Sequence, residues 1–343
     1  MVYIYLLLFY NSFSLSEEKM RTGERLLKIF QTAENEWVSG EKIGAELHIS
    51  RAAVWKAVKN LRQEGYVIDA VCNKGYRLNN ECDSLSEIGI LKYLSPENRF
   101  LDIHVIPEAG STNALLWEKA NTGSPEGIVM IASMQTDGKG RMGRKFYSPA
   151  DTGIYMSILL RPKIGKLENA FRLTVIAAVA ACETLEAAAG KPAKIKWVND
   201  IYIDNKKVCG ILTEGSISME TGNLDAVVLG IGINVYQPEN GFPSEIAETA
   251  GAVFDRKQNE GRNIIAAGFL NRFISCYTCG DFDTYAAEYR RRSLVTGKAI
   301  TVIKADGMRK AIAKEIDKNC CLAVQYEDGT TETLSAGEIS ISL

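Results

Sequence analysis

From Glu24 to Leu78 the apolar positions change period. "ERLLKIF", "KIGAEL" and "RAAVWKAVKNLR" repeat at three- and four-residue steps, as amphipathic helices do. "YVIDAV" and "GYRL" then read as two short strands around a turn at Asn73 to Gly75. Helix, helix, tight turn, helix and a two-stranded wing is the order of a winged helix-turn-helix, assigned to residues 21–80. Ser50 is placed to cap the third helix, and Val54, Val58 and Leu61 share the face that turns inward. Arg51, Ala52, Lys56, Lys59 and Gln63 fall on the rest of that helix. Small, polar and basic side chains are what a major-groove reading face requires, although the same face could serve protein contacts alone. Trp55 reads as wedged against the edge of this small core.

The pattern lapses in the polar stretch "NNECDSLSE", read as a linker over 81–88 or the frayed start of a helix. Beyond it, strand-like and helix-like runs alternate through "DIHVIPEAGSTNALLWEKA", "GIVMIASMQTDGKGRMGR", "GIYMSILLRP", an alanine-rich helix from Leu167 to about Ala189, "KIKWVNDIYIDNKKVCGILTE" and "DAVVLGIGINV". That alternation predicts a mixed α/β domain over 89–293. From 294 to 343, short alternating strands with turns at Asp306-Gly307 and Asp328-Gly329 predict a small β-barrel of SH3-like type. The apolar opening, 1–20, has no basic flank or small-residue cleavage site and is too short to span a bilayer. It reads as an extension, with Met20 a natural start.

Charge narrows the partners. The 343 residues carry a formal net charge of -2, which excludes a generic polyanion binder. Residues 21–80 hold ten Lys or Arg against seven acids, so a positive end sits on an otherwise acidic chain and any nucleic-acid contact belongs there. Eight scattered cysteines form no disulfide framework and fit a reducing cytoplasm. Cys276-x-x-Cys279 has no second pair, and two ordinary helix cysteines are the better reading than zinc ligands. With His48 and His104 the only histidines, a His-based catalytic triad is not expected.

"GKGRMGR", Gly138 to Arg144, satisfies G-x-G-x-x-G as text. A dinucleotide fold requires a helix to start at these glycines, and here "KFYSPADTGIYMSILL" leads through Pro149 and Gly153 into a strand. The kinase reading fails as well, since no H-R-D or D-F-G follows. What remains is a basic glycine loop between two strands, able to close backbone N–H groups and the cations Lys139, Arg141 and Arg144 on an anion. Cations without a nucleophile or general base suit electrostatic catalysis of attack on phosphorus.

The blocks "STN" at Ser111 to Asn113, "QTDGKGRMGRKF" at Gln135 to Phe146, "KWVNDIYI" with "KVCGILTE", and "GIGINV" at Gly230 to Val235 resemble, in this order and at compatible spacing, those of biotin-protein ligases. The preceding winged helix resembles the bifunctional class, which also represses biotin genes. The resemblance runs over nearly the whole chain from Met20. It implies ATP-dependent formation of biotinyl-5′-AMP with Mg²⁺, then transfer of biotin to one lysine of a biotin carboxyl carrier domain such as that of acetyl-CoA carboxylase. It further implies a cytoplasmic protein without membrane contact, dimerising when adenylate-bound to present two reading helices to operator DNA.

Carried over residue by residue, Ser111, Thr112, Asn113 and Gln135 would bind the biotin ureido head. Gly138, Lys139, Gly140 and Arg141, with Gly230 and Gly232, would close the pocket around it. Lys196 would stand beside the reacting carboxylate and α-phosphate as the principal catalytic cation, helped by Arg141. Arg141 and Arg144 would grip phosphate, Phe146 would lie against adenine, and Asn199 and Asn234 would support the nucleotide. No residue is assigned as a metal ligand. The 138–146 loop and the segment "YQPENGFPSEIAE" are the candidate lids. Lys139 stands where the family often has arginine, Val198 where proline is common and Phe146 where tryptophan is frequent; none of these removes a required charge. Two other readings remain open at this point, a lipoate- or octanoyl-type ligase and a biotin-sensing repressor without ligase activity.

Overall fold

The computed structural model describes residues 21–33, 36–63, 66–78, 83–162, 168–217, 224–304 and 307–341. The 1–20 extension, positions 81–82 of the expected linker and the Asp306 half of the expected turn lie outside those residues. The chain divides into two units, one running to Ser84 and one from Leu85 onward, with the short 258–260 stretch grouped with the first.

In the first unit, helices α1 (Thr22–Thr32), α2 (Gly40–Leu47) and α3 (Arg51–Gln63) are followed by the hairpin β1 (Ile68–Val71) and β2 (Gly75–Leu78). Side-chain oxygens start two of the helices. Ser39 accepts from the Lys42 N–H at 3.1 Å and Ser50 from the Ala53 N–H at 3.2 Å, satisfying donors that an uncapped helix leaves bare. His48, in the left-handed region at φ 56, ends α2 and turns the chain into α3. Leu26, Phe30, Ile43, Val54, Val58 and Leu61 are buried together as the sequence pattern requires. The Arg62 guanidinium donates to the Ile68 carbonyl and ties α3 to the wing.

Trp55 departs from expectation. It is 58% exposed rather than wedged against the core, with Lys59 Nζ 5.5 Å from its ring centroid. The reason is angular: about 100° per residue separates it from Val54 and carries it onto the outer face, between Arg51 and Lys59.

The second unit opens with α4 (Glu87–Tyr93), capped by the Ser86 hydroxyl, so the polar 79–87 stretch does end in a helix start. A seven-stranded sheet follows, built from β3 (Asp102–Ala109), β4 (Ile128–Gln135), β5 (Gly153–Leu160), β6 (Lys194–Lys196), β7 (Asp200–Ile203), β8 (Lys206–Ile217) and β9 (Leu224–Asn234). Its order is β3-β4-β5-β9-β8-β7-β6. Among the described strands only the pair β3 and β4 runs parallel, and that pair needs the crossover helix α5 (Thr112–Asn121). Helices α6 (Glu168–Ala189), α7 (Gly261–Cys279) and α8 (Phe282–Arg291) complete this layer arrangement. Cys276 and Cys279 are free thiols inside α7.

All eight residues of β5 are buried because both faces of the sheet are covered. Ile154, Met156, Ile158 and Leu160 join the large core with α6 and α7, whereas Leu159 packs with Leu116 and Ala120 of α5. Ser157 shares the parity of Leu159 and so faces the start of α5, where it meets Thr112 and Asn113.

The last five strands, β10 (Ala299–Lys304), β11 (Gly307–Ile316), β12 (Leu322–Tyr326), β13 (Thr331–Leu334) and β14 (Glu338–Ser340), form an antiparallel sheet ordered β13-β12-β11-β10-β14. Among the described residues no pairing joins β13 to β14, so the sheet is open where a closed SH3-like barrel is expected. β14 is three residues long and spends its pairing on β10. This sheet is fastened to the larger one by a buried bond. Trp197 Nε1 donates to the Cys320 carbonyl between β11 and β12 at 3.0 Å, and beside it the Tyr289 hydroxyl of α8 donates to the Val198 carbonyl at 2.8 Å.

Candidate active site

Where β3 and β4 end, a cavity of about 340 Å³ opens, reached by β7, β8, β9 and the β14 end of the small sheet. One part of its wall is neutral and bonded together. Gln135 Oε1 accepts from the Thr112 N–H at 2.9 Å and the Thr112 hydroxyl at 3.2 Å, and Gln135 Nε2 donates to Ser148 Oγ at 3.1 Å. The Ser157 hydroxyl, with one hydrogen to give, lies 2.6 Å from Asn113 Oδ1 and 2.7 Å from Thr112 Oγ1, and Asn113 Nδ2 donates to Glu214 Oε2 at 2.6 Å. Ser111, Thr112 and Asn113 are each at least 95% buried, so these bonds form out of water, where an unmade one is costly.

The other part is charged. Lys139, Arg141, Arg144, Lys196 and Lys207 all line the cavity. Arg141 donates to Asn199 Oδ1 at 3.2 Å, while Asn199 Nδ2 donates to the Ile211 carbonyl at 2.6 Å, so one asparagine fixes the guanidinium against β8. Burial pulls the Arg141 guanidinium below its usual value, against the raising influence of Asp200 and Glu338. Burial likewise lowers Lys196, partly offset by Asp200. Lys207 Nζ pairs with Asp200 Oδ1 at 2.7 Å, and Arg144 pairs with Glu338 of β14.

The glycine loop closes on itself as a small hairpin. Gly140 N–H donates to the Arg144 carbonyl at 2.7 Å and Phe146 N–H to the Gly138 carbonyl at 2.8 Å. Met142, at φ 55 and 74% exposed, forms the tip with Gly143. Gly138 of the loop is tightly packed, since a Cβ there would stand 2.4 Å from the Phe146 carbonyl, and two further close approaches lie on β9. A Cβ at Gly230 would overlap Asn113 Oδ1, and one at Gly232 would stand 2.5 Å from the Phe146 ring. Two glycines at alternate positions of one strand therefore admit the asparagine from one side and the aromatic ring from another.

Of the residues singled out from sequence, Ser111, Thr112, Asn113, Gln135, Lys139, Gly140, Arg141, Arg144, Phe146, Lys196, Asn199, Gly230 and Gly232 line this one cavity. Gly138 and Asn234 are not among the lining residues. Gly138 packs behind the loop against Phe146 and Ser148, and Asn234 Nδ2 donates to the Gly251 carbonyl at 3.1 Å. The 236–248 segment is a run of turns leading to Thr249, whose carbonyl accepts from the Lys207 N–H at 2.7 Å; Ile246 and Thr249 face the cavity. In the first unit Arg51, Ala52, Lys56, Lys59 and Gln63 are all exposed on α3.

Sequence reading did not single out Asp200, Lys207, Glu214, Ser157 and Glu338. Asp200, Lys207 and Glu214 sit inside motif blocks and carry charge, which was a usable signal. Ser157 is one hydroxyl in an apolar strand, and Glu338 arrives from a separate sheet.

Residues 105–234 match the Biotin/lipoate A/B protein ligase family, and residues 23–77 match an HTH domain. The bifunctional ligase/repressor BirA of Bacillus subtilis is 41% identical over 254 residues, 74% of this chain and 76% of that one. Its Escherichia coli namesake is 28% identical over 312 residues, 90% and 94% of the respective chains. The biotin protein ligase from Aquifex aeolicus in complex with biotin and ATP superposes with a TM-score of 0.56 at 25% identity, covering 70% of this chain and 97% of that one. With a helix-turn-helix in the first unit and this cavity in the second, the chain belongs to the biotin/lipoate protein ligase family, among its bifunctional ligase/repressor members.

Proposed function

We propose that the cavity receives biotin at its neutral end and ATP at its cationic end, joins them as biotinyl-5′-AMP, and passes biotin to a lysine of a carboxyl carrier domain. The first unit carries the second activity, repression of biotin genes through α3. The observation that carries this reading is the meeting, in one cavity, of oriented amides from Asn113 and Gln135 with the cations Lys196, Lys207, Arg141 and Arg144.

In the first step a biotin carboxylate oxygen attacks the α-phosphorus; that P–O bond forms, the α–β bridging P–O bond breaks, and diphosphate leaves. Both reactants are anions, so bringing them together requires fixed positive charge at the point of contact. Lys196, half-buried and partly stripped of water, provides it, and Arg141 is held by Asn199 to share the developing charge on phosphate. Lys207 lies in the same wall and contributes to that field. In the second step the carrier lysine's amine attacks the acyl carbon, the C–O bond to AMP breaks, and the amine loses a proton as the amide forms.

Mg²⁺ enters as the companion of the ATP triphosphate. Among the described residues no cluster of three His, Cys, Asp or Glu is suited to a metal, and the carboxylates lining the cavity, Asp200 and Glu338, are paired with Lys207 and Arg144. Phosphate oxygens would thus supply most of its coordination. Phe146, held over Gly232, is the surface available to adenine. The small C-terminal sheet resembles an SH3-like barrel in strand count and brings Glu338 to the cavity mouth. Among the described residues no helix is long and apolar enough to cross a membrane. Action on a carrier domain and on operator DNA fits a cytoplasmic protein.

The test is incorporation of labelled biotin into an acetyl-CoA carboxylase carrier domain with ATP and Mg²⁺, comparing wild type with Lys196→Ala. Labelling by wild type that drops about 10²-fold or more in the variant is expected. Biotin bound without labelling by wild type would leave a sensor in place of a ligase.

A further inference from the structure

The two amides of the neutral wall are each oriented by a partner that can act in one sense only. A backbone N–H cannot accept, so the Thr112 N–H fixes Gln135 Oε1 toward itself at 2.9 Å and turns Nε2 the other way. A carboxylate oxygen accepts, so Glu214 Oε2 at 2.6 Å takes Nδ2 as the end of Asn113 that faces β8. Ser157 could not do this alone. Its hydroxyl gives or takes a hydrogen bond and would satisfy either end of the Asn113 amide. With Glu214 present, the hydroxyl is left to donate to Oδ1, and Gly230 leaves the space in which that oxygen sits.

The consequence for a ligand is a matter of counting. Asn113 Oδ1 and Gln135 Oε1 are both occupied by protein donors, and Asn113 Nδ2 and Gln135 Nε2 each spend one of two hydrogens, on Glu214 and Ser148. Gln135 Oε1 takes two donors and is full, Asn113 Oδ1 takes one, and both side chains line the cavity, so what they have left to offer is two N–H donors against one oxygen lone pair. A wall built this way suits a ligand group that accepts through oxygen.

We propose that Glu214 is a positioning residue for biotin selection: it holds Asn113 in the orientation that presents N–H, so that the wall takes the ureido oxygen and turns away a head bearing N–H in its place. This rests on the reading of the cavity as a biotin site. The carboxylate acts through Asn113 and touches no reacting atom.

The experiment is calorimetric titration of the full chain with biotin and with 2-iminobiotin, whose head carries nitrogen where biotin has the ureido oxygen. Wild type, Glu214→Ala and Glu214→Gln are compared, with the KM for ATP measured in carrier labelling alongside. Glu214→Ala frees the Asn113 amide to rotate. It is expected to weaken biotin about tenfold, to shrink the preference for biotin over 2-iminobiotin by a similar factor, and to leave the KM for ATP within about twofold. Glu214→Gln keeps an acceptor oxygen at the same reach but can also turn its NH2 toward Asn113, so it is expected to restore only part of the biotin affinity and preference that Glu214→Ala loses. An unchanged preference in a folded Glu214→Ala variant overturns the proposal, and so does a folded Glu214→Gln variant that restores none of it. Wild type that binds no biotin would instead overturn the biotin-site reading itself, a different result seen in a different sample.

Discussion

At the scale of one residue, Lys196 couples burial to chemistry. Water stabilises an ammonium, so its partial removal lowers the pKa from 10.5, and Asp200 restores only part of the loss. The unfolded chain keeps that proton up to the ordinary lysine range while the folded chain releases it earlier. Between the two values the unfolded state binds more protons, so the stability cost of burying this charge is relieved as pH rises through that window. Activity has the opposite sense, because the neutral amine cannot stabilise charge on phosphate. The rate of adenylate formation should therefore fall on the alkaline side earlier than an unburied lysine would allow. Lys196→Arg, retaining charge at any such pH, should move that limb upward even where its maximal rate is lower. A pH–rate profile with an alkaline limb identical in wild type and Lys196→Arg would remove Lys196 from the role. The lysine itself was legible in "KWVND", because charge inside an ordered motif draws notice. Glu214 closes the block "KVCGILTE" and carried the same signal, but its role appears only when pairing register places it beside Asn113, and Ser157 was not legible at all, being one hydroxyl in "GIYMSILL".

At the scale of the element, β9 shows why a motif can be read while its reason stays hidden. "GIGIN" stood out for two glycines at alternate positions, which in a strand means two openings on one face. That the openings admit Asn113 and the Phe146 ring is a fact of the sheet order, which sets β9 between β5 and β8. The distinction yields separable outcomes. Gly230→Ala displaces Asn113 and should weaken biotin, whereas Gly232→Ala pushes a methyl at the Phe146 ring and should raise the KM for ATP. Each forced contact costs about 1–3 kcal/mol, which is about 5- to 150-fold in the affinity concerned. Measuring both KM values in both variants checks this, and a loss of biotin binding from Gly232→Ala alone would reverse the assignment. Element type was read well where period was long and clean, as in α3 and α6. It failed where closure depends on pairing between distant strands, as in the open sheet β13-β12-β11-β10-β14, and where an aromatic residue was read as wedged against a core edge, as Trp55 was.

At the scale of the whole molecule, two activities must communicate. The first unit carries a small positive excess, residues 21–80 holding ten cations and seven acids, on a chain of net charge -2. One such reading head offers few phosphate contacts, and at physiological salt its sequence-independent binding is weak. Two heads on one duplex multiply that affinity through effective concentration, provided the chain is dimeric. Repression that responds to biotin therefore requires the dimer to respond to what the cavity holds. The species that reports both substrates at once is biotinyl-5′-AMP, and it can shift a monomer–dimer equilibrium only by binding the dimer more tightly. This separates chemistry from signalling. Wild type with biotin and ATP should dimerise in sedimentation equilibrium and bind its own upstream DNA. Lys196→Ala should do neither with biotin and ATP, having made no adenylate, yet should recover both when synthetic biotinyl-5′-AMP is supplied at a concentration that saturates the cavity. If the variant stays monomeric with bound adenylate, Lys196 itself carries the signal to the interface. If wild type dimerises fully without either ligand, occupancy of the cavity is not what brings the two reading helices together.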